Sequence, residues 1–467
     1  MVSRRFSQRR ALYGTSLLAV DFVVVAGLYS FLVTARALTG GVQEEIDFGI
    51  ISLIYLATIV PLAMVGGYQR LQPMTSPRFL SEHAVASVFS LLFGFVLIYG
   101  ITTLGRVNLT ARGNVGATLL LFPPLSITYR ALASRRVQRN LAAQCLFVAG
   151  GGAMARDFRK LLRRFHWAGQ VRFFALRPEQ AGTRLDPGDA GSPLLESGIE
   201  AAVRASERQL AGVVLAAEPH ELGAEQQREL LRLHFRHTVV QTYEHFCAEY
   251  WKFVPASELS LWWAIDDGFR LNHNPTFERF KRLSDVLVAG LALLLLAPVL
   301  LLTAIAVRID SRGKCIFRQT RVGLNEQPFT LYKFRSMQLG GETGPRYTQP
   351  GDQRITRLGR FLRKTRLDEL PQLWNVLRGD MSLIGPRAEW IELVRGYEAQ
   401  IPHYHFRHMV KPGITGWAQV NYPYGGNLED TVEKLKYDLY YIRHYSFRLD
   451  LTIVLKTIYT MLGGLGR

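Results

Sequence analysis

The sequence predicts a membrane α-helical bundle of four spans, then a Rossmann-like α/β domain, then a second α/β domain entered through a re-entrant membrane helix. Three observations carry this reading. Four apolar stretches fill the first 130 residues, a glycine turn follows a short apolar strand near residue 150, and a proline-broken apolar segment near residue 300 has basic residues at both ends. At 467 residues the chain exceeds what one compact core accommodates. Its net charge is +18 with 48% hydrophobic residues, a balance that points to anionic lipid or an anionic substrate. Aromatic residues reach 11% and no polar low-complexity run occurs, which excludes a disordered nucleic-acid tail. Cys145, Cys247 and Cys315 are far apart and lack metal-ligand spacing, which excludes a disulfide scaffold and a zinc site.

The bundle, residues 1–140, rests on apolar stretches at 12–35, 46–67, 83–104 and 114–130, each near the roughly 20 residues a spanning helix needs. Asp21 inside the first is costly in lipid and is expected to face a neighbouring helix. Basic residues set the orientation. Arg4, Arg5, Arg9, Arg10, Arg70, Arg78, Arg130, Arg135, Arg136 and Arg139 fall on one side; Arg36, Arg106 and Arg112 fall on the other, with Glu44, Glu45 and Asp47. Both ends of the bundle are therefore expected in the cytoplasm.

Residues 141–245 read as the Rossmann-like domain. A strand at 144–149 runs into GGGAMA (150–155) and a helix, with further strands near 171–176, 212–217 and 237–241 and a helix near 222–235. Gly150 and Gly152 fit the dinucleotide fingerprint, whose helix N-terminus can hold a pyrophosphate. No acidic residue for a ribose ends the second strand at Leu176-Arg177, so a structural or regulatory module is the stronger reading. Residues 246–277 are expected to be a linker.

Residues 278–310 form the re-entrant membrane helix. The apolar run 283–307 would reach ~37 Å as a straight helix, long enough to span. Pro298 at its middle removes a backbone hydrogen bond and clashes with the preceding turn. Arg279, Lys281 and Arg282 precede it, and Arg308, Arg312 and Lys314 follow. A segment that enters and leaves on one face satisfies both ends.

The most informative residues lie in 311–467. FTLYKFRSM (329–337) reads as a strand presenting Lys333 and Arg335 on one face, both as candidate substrate-phosphate contacts. RITRLGRFLRKTR (354–366) reads as a basic amphipathic helix, with Ile355, Leu358, Phe361 and Leu362 at helical spacing, suited to an anionic bilayer surface. In LDELPQLWNVLRGDMSLIGPR (367–387), Asp368 and Glu369 precede Pro371 and are expected in the first turn of a helix. Free N–H groups there would keep a carboxylate ionised and welcome a phosphate. An ionised aspartate can attack phosphorus to form an acyl phosphate, and a neighbouring glutamate can hold Mg²⁺.

These motifs, with KPGITGWAQV (411–420), resemble the bacterial polyprenyl-phosphate sugar-1-phosphate transferases, the monotopic phosphoglycosyl transferases. The resemblance covers about 278–467, and the four-span, Rossmann-like front half resembles the large members that initiate exopolysaccharide or O-antigen synthesis. It implies Asp368 as nucleophile, Glu369 as its metal-binding or acid–base partner, and Arg387 and Lys411 near substrate phosphate. Lys281, Arg282 and Pro298 match the re-entrant helix, although the family often has serine where this chain has Ala297, and a second proline where it has Ala388. The reaction so implied moves a hexose-1-phosphate, from UDP-galactose or UDP-glucose first of all, to undecaprenyl phosphate with release of UMP. Mg²⁺ would be the cofactor, the bacterial inner membrane the location, the catalytic domain cytoplasmic, and a homodimer the expected assembly. Two rivals stand beside it. A membrane-anchored nucleotide-sensing scaffold is opposed by the intact Asp368-Glu369 pair with its arginines, and an NAD-dependent nucleotide-sugar oxidoreductase by the missing ribose-binding acid.

Overall fold

The computed structural model describes residues 2–39, 46–64, 67–68, 74, 77–103, 109–142, 144–167, 169–199, 202–203, 210–235, 238–256, 275–311, 313–338, 354–422 and 427–462. Arg70, Arg106, Glu44 and Glu45, used above for orientation, lie outside them, as does 257–274 of the expected linker. The chain forms two units, Met1–Tyr250 and Trp251–Arg467.

The first unit opens with four helices where four apolar stretches stand in the sequence: α1 (Val2–Leu38), α2 (Phe48–Met64), α3 (Pro77–Thr103) and α4 (Leu109–Ala142). Among the described residues, Tyr13–Leu38 and Arg112–Arg139 are long and apolar enough to cross a membrane; Phe48–Ala63 and Glu82–Val96 are shorter apolar helices. Asp21 does face a neighbouring helix, and its partner is one of the arginines assigned above to the cytoplasmic flank. Arg130 Nη1 and Nη2 donate to the two Asp21 oxygens at 2.8 and 2.6 Å, with both side chains 0% exposed. Tyr68 and Tyr129 donate to the same carboxylate, and Arg130 Nε donates to the Gly67 carbonyl at 3.3 Å. Arg130 is thus a structural charge inside the bundle, because α4 continues through it to Ala142.

The α/β part has a parallel sheet in the order β2-β1-β3-β4, built from β1 (Cys145–Ala149), β2 (Gln170–Phe174), β3 (Leu210–Leu215) and β4 (Val240–Thr242). The apolar run of β1 is buried along its whole length, as a central strand covered on both faces requires. Helices α5 (Ala153–Arg164) and α6 (Ala224–Phe235) complete it. Gly150 has φ +145°, and a Cβ there would run into the Ala216 carbonyl, so only glycine fits.

The second unit begins earlier than the expected linker allows. Val254 N–H donates to the Lys436 carbonyl, Trp417 Nε1 donates to the Lys252 carbonyl, and Phe253 packs edge-on to Tyr437. Residues 251–256 are therefore a strap on this unit rather than free chain. Helix α7 (Pro275–Leu295) meets α8 (Ala297–Asp310) at a bend of 63°. The break falls at Leu296, two residues before Pro298, which occupies the first turn of α8 where its missing N–H costs nothing. One face of each arm packs on protein. Ala289, Ala292 and Leu293 of α7 meet Leu373, Val376 and Leu377, while Leu300, Ala304 and Val307 of α8 meet Phe334, Leu358 and Leu362. The opposite face, including Leu283, Leu287, Leu291, Leu294, Leu301, Leu302 and Ile305, is exposed and wholly apolar. At the start of α7, Lys281 is tied to Asp450 at 2.6 Å, and both side chains are only 8% exposed. Arg282 donates to the Val376 and Leu377 carbonyls at 2.5 and 2.6 Å.

Beyond the bend lie an antiparallel hairpin, β5 (Ile316–Val322) with β6 (Pro328–Phe334), and three short helices, α9 (Arg357–Thr365), α10 (Gln372–Arg378) and α11 (Ile391–Glu398). A parallel pair, β7 (Ser382–Ile384) with β8 (Gly413–Thr415), precedes the closing helices α12 (Leu428–Arg443) and α13 (Phe447–Leu462). The apolar stripe predicted on α9 is divided. Leu358 and Leu362 pack on α8, and Phe361 alone among them is exposed, beside the arginines.

Candidate active site

Asp368 and Glu369 lie on the 3₁₀ turn Leu367–Glu369 that joins α9 to α10. They lie in this 3₁₀ turn ahead of α10, rather than in the first turn of the α-helix itself. Arg366 takes a left-handed conformation (φ 56°) that ends α9, and the Glu369 N–H is used within the turn, on the Arg366 carbonyl at 3.1 Å. Side chains rather than a helix end supply the positive surroundings. Glu369 Oε1 accepts from Arg387 Nη2 at 3.2 Å and Oε2 from Arg366 Nη1 at 3.3 Å.

Both carboxylates are buried, yet their acidities move in opposite directions. Burial and the neighbouring Glu369 push Asp368 above the ordinary aspartate range, against Lys333, Arg363 and Arg387. Burial would raise Glu369 too, but Arg387, Lys333 and Arg366 outweigh it and bring that group down to about 2. Half-buried Lys333 is pushed down to about 8 by burial and by Arg321 and Arg387, with Glu369 and Asp368 opposing. Adjacent groups driven apart in this way divide roles: one a permanent anion, the other a carboxylate whose charge is held at a cost.

The scaffold explains why these groups meet. Asn375, fully buried on α10, donates to the Thr330 carbonyl at 2.7 Å and accepts from Tyr332 N–H at 3.2 Å, which pins β6 and its Lys333 to the helix beyond the carboxylates. A Cβ on Gly359 would collide with the Ser336 carbonyl, so the close approach of α9 to the segment after β6 requires glycine there. Arg387 follows β7 and bridges to Gly413 of β8. At this junction a Cβ on Gly385 would strike the Lys411 carbonyl, and one on Gly413 or Gly416 would strike the Gly385 backbone. The GPR and PGITG segments thus interlock through glycines, and the backbone of Arg387 is held. A buried arginine holds it from the other side. Arg407 Nη2 donates to the Arg387 carbonyl at 3.0 Å and to Asp438 at 2.9 Å, while Nη1 donates to Tyr404 Oη at 2.6 Å.

Arg366, Arg363, Asn375 and Arg407 escaped the sequence reading. Arg366 reaches back only because of its left-handed backbone, and Arg407 meets Asp438 across 31 positions with no local pattern. Burial raises Asp438 to about 6, helped by Glu389 and opposed by Arg407. Its folded value lies above the ordinary one, so its charge weakens the fold as pH rises through about 6. Asp438→Asn should therefore come nearest the wild type below the ordinary aspartate value of 3.8 and gain on it progressively up to about pH 6. Arg407→Gln leaves a buried anion unpaired and should cost about 3 kcal/mol at neutral pH. Thermal melts of both variants at pH 5 and 8 check this.

The other predicted residues are dispersed. Lys411 Nζ lies beside Gly379 and Arg282, at the far end of α10 from the carboxylates, and burial and Arg282 lower its pKa. Arg335 follows the end of β6 and donates to Ser311 at the end of α8. Lys281 and Arg282 anchor α7 to Asp450 and α10, as described. Gly150 and Gly152 flank Gly151, whose outer side is covered by Leu195 and Gln180, where a pyrophosphate would have to rest; Gly152 itself is open.

Comparison with known proteins centres on the same residues. The family described as bacterial sugar transferase matches residues 276–464. The chain is 47% identical over 194 residues to a UDP-N-acetylgalactosamine-undecaprenyl-phosphate N-acetylgalactosaminephosphotransferase of Aeromonas hydrophila, covering 41% of this chain and 46% of that protein. It is 45% identical over 183 residues to the UDP-glucose:undecaprenyl-phosphate glucose-1-phosphate transferase of Escherichia coli, covering 38% of this chain and 39% of that protein. The match therefore spans less than half the length of these two relatives. A protein of the latter name from Caulobacter vibrioides is 47% identical over 188 residues, 39% of this chain and 69% of its own length. With most of that shorter relative covered, and the match running from the bent helices through the carboxylate turn to α13, the chain belongs to the bacterial sugar transferase family.

Proposed function

We propose that the chain transfers a hexose-1-phosphate from a UDP-sugar to undecaprenyl phosphate at the membrane surface and releases UMP. The observation that carries this is the split pair: a buried, costly Asp368 anion beside a Glu369 clamped by two arginines, on a turn carried by helices with an exposed apolar face. Asp368 Oδ attacks the β-phosphorus of the UDP-sugar. The bond from that phosphorus to the bridging oxygen breaks, UMP departs, and an aspartyl phosphosugar remains. A phosphate oxygen of the lipid then attacks the same phosphorus and frees Asp368. Lys333, Arg363 and Arg387 offset charge on the diphosphate during both steps, and Glu369 keeps Arg387 and Arg366 aimed.

Mg²⁺ suits this donor set. Among the described residues no group of three or more His, Cys, Asp or Glu side chains converges, but this ion is commonly held by one or two carboxylates plus substrate phosphates. Glu369 is ionised at neutral pH and each of its oxygens bonds one guanidinium, so lone pairs remain for a cation. When bound, the ion would further neutralise the diphosphate.

The test is UMP release by the purified full chain from a panel of UDP-sugars plus undecaprenyl phosphate. Glucose and galactose are the favoured donors, and the names of the relatives add N-acetylgalactosamine to the panel. No UMP from any of them sinks the proposal.

The same reading places α1–α4 across the inner membrane, the carboxylate turn on the cytoplasmic side, and the bent pair as a re-entrant segment. Single cysteines at Thr276 and Lys314, in a chain lacking its own three, should label from the same side of the membrane. Labelling from opposite sides would make the pair a span. Pro298→Ala should let α7 and α8 straighten and cut activity or stable insertion several-fold.

A further inference from the structure

Arg335 is buried with most of its donors unused. The residue is 9% exposed, and its Nε and Nη1 are buried with no hydrogen-bond partner. Only Nη2 is engaged, on the Ser311 carbonyl at 2.6 Å and Ser311 Oγ at 2.9 Å. Among the described residues it is the one arginine with two buried nitrogens idle. A buried guanidinium with unused donors is costly unless water or a bound group completes it. The idle Nε and Nη1 lie on different edges of the guanidinium, and each offers a charge-assisted donor to a phosphate oxygen.

The location narrows the ligand. Ser311 caps α8, the arm whose exposed face carries Leu301, Leu302, Ile305 and Ile309. Arg335 therefore stands at the foot of a lipid-facing helix. On its other side, the adjacent Ser336 Oγ accepts from Arg363 Nε at 2.9 Å, and Arg363 is one of the cations acting on Asp368. Arg387 and Arg366, by contrast, lie on the Glu369 side of the pair, each giving one nitrogen to that carboxylate. A phosphate carried on a lipid would arrive along α8 and meet Arg335 first, one side chain removed from the nucleophile's surroundings.

We propose that Arg335 binds the phosphate monoester head of the polyprenyl acceptor, and that the donor diphosphate is held separately by Lys333, Arg363 and Arg387. The assignment rests on the transfer reaction proposed above and divides its two anions between two sets of cations. It makes Arg335 a determinant of the second half-reaction alone.

The two half-reactions separate the possibilities, using the full chain in nanodiscs. With UDP-sugar and no acceptor, Arg335→Gln should release the same single-turnover burst of UMP as the wild type. With acceptor, its KM for undecaprenyl phosphate should rise at least tenfold while its KM for UDP-sugar stays unchanged, and Arg335→Lys should recover part of the loss. Loss of the burst, or a raised KM for UDP-sugar, would place Arg335 on the donor and overturn the assignment. Unchanged KM values with a lowered Tm would make it only a strut to Ser311, and also overturn it. So would a defect that depends on the phosphatidylglycerol content of the nanodisc, which would identify a phospholipid head instead. Binding of undecaprenyl phosphate, followed by native mass spectrometry, reads the site without turnover. A wild type that binds this lipid through Arg335 but releases no UMP would sink the reaction and leave the phosphate site standing.

Discussion

Asp368→Asn is expected to abolish transfer and at the same time to stabilise the fold. An amide cannot form the acyl phosphate, so UMP release should fall on the order of 10⁴-fold or more. The stability effect follows from the direction of the shift. The folded-state pKa of Asp368 is raised by burial and by Glu369, so the carboxylate favours the fold only while protonated, and its charge is a burden once pH rises through that value. Asparagine removes the burden. Glu369→Gln should do the reverse. That group sits at about 2 in the fold, well below its ordinary 4.5, so its contribution is complete above pH 4.5 and disappears as pH falls toward 2. At neutral pH the difference amounts to roughly 3 kcal/mol, and the glutamine should forfeit most of it while leaving Arg366 and Arg387 without their anion. Thermal melts at pH 7 should therefore move up for Asp368→Asn and down for Glu369→Gln, with both inactive. Equal and opposite outcomes would show that the two carboxylates have been assigned the wrong way round.

Asp21→Ala should be the most damaging single change outside the site. It strands Arg130, fully buried, against two tyrosine hydroxyls that lose their acceptor. Breaking a buried pair from one side costs about 3–5 kcal/mol, and the charge has no water to turn to. The yield of folded protein after detergent extraction should collapse. The double change Asp21→Leu with Arg130→Met should restore much of it, because apolar replacement of both partners removes the uncompensated charge. A double variant as poor as Asp21→Ala would mean that the pair specifies the helix arrangement rather than merely tolerating its own burial.

The parts of this chain that could be read from its sequence are those written in local patterns. Apolar stretches marked α1–α4 because lipid and core alike demand continuous hydrophobicity. The strand-glycine-helix rhythm marked β1 and α5, and adjacent acids with surrounding arginines marked the buried turn at Leu367–Glu369. What escaped depended on side chains returning from a distance. Arg130 looked like a flanking charge because nothing local says that Asp21 waits for it 109 positions earlier. The family resemblance implies that Lys411 lies near the substrate phosphate with the carboxylates, and the length of α10 lies between them. Arg335 was paired with Lys333 on strand alternation, and the end of β6 at Phe334 releases it toward Ser311. The segment 251–256 read as linker because its aromatic partners, Trp417 and Tyr437, lie far along the chain.

The seating of α9 on α8 and of α10 on α7 gives the bend a mechanical meaning. The two adjacent carboxylates occupy the short piece of chain strung between two levers, and those levers diverge from one fulcrum at Leu296. Any force that opens or closes the 63° angle must shear that piece, since neither helix can slide on its arm without breaking leucine packing. A displacement of about 1 Å at reacting groups can cost 10²-fold in rate. Turnover should accordingly vary with acyl-chain length at constant headgroup, passing through a maximum where bilayer thickness leaves the angle unstressed. The membrane would then act as the spring that sets the alignment of the nucleophile, as well as the solvent of the acceptor.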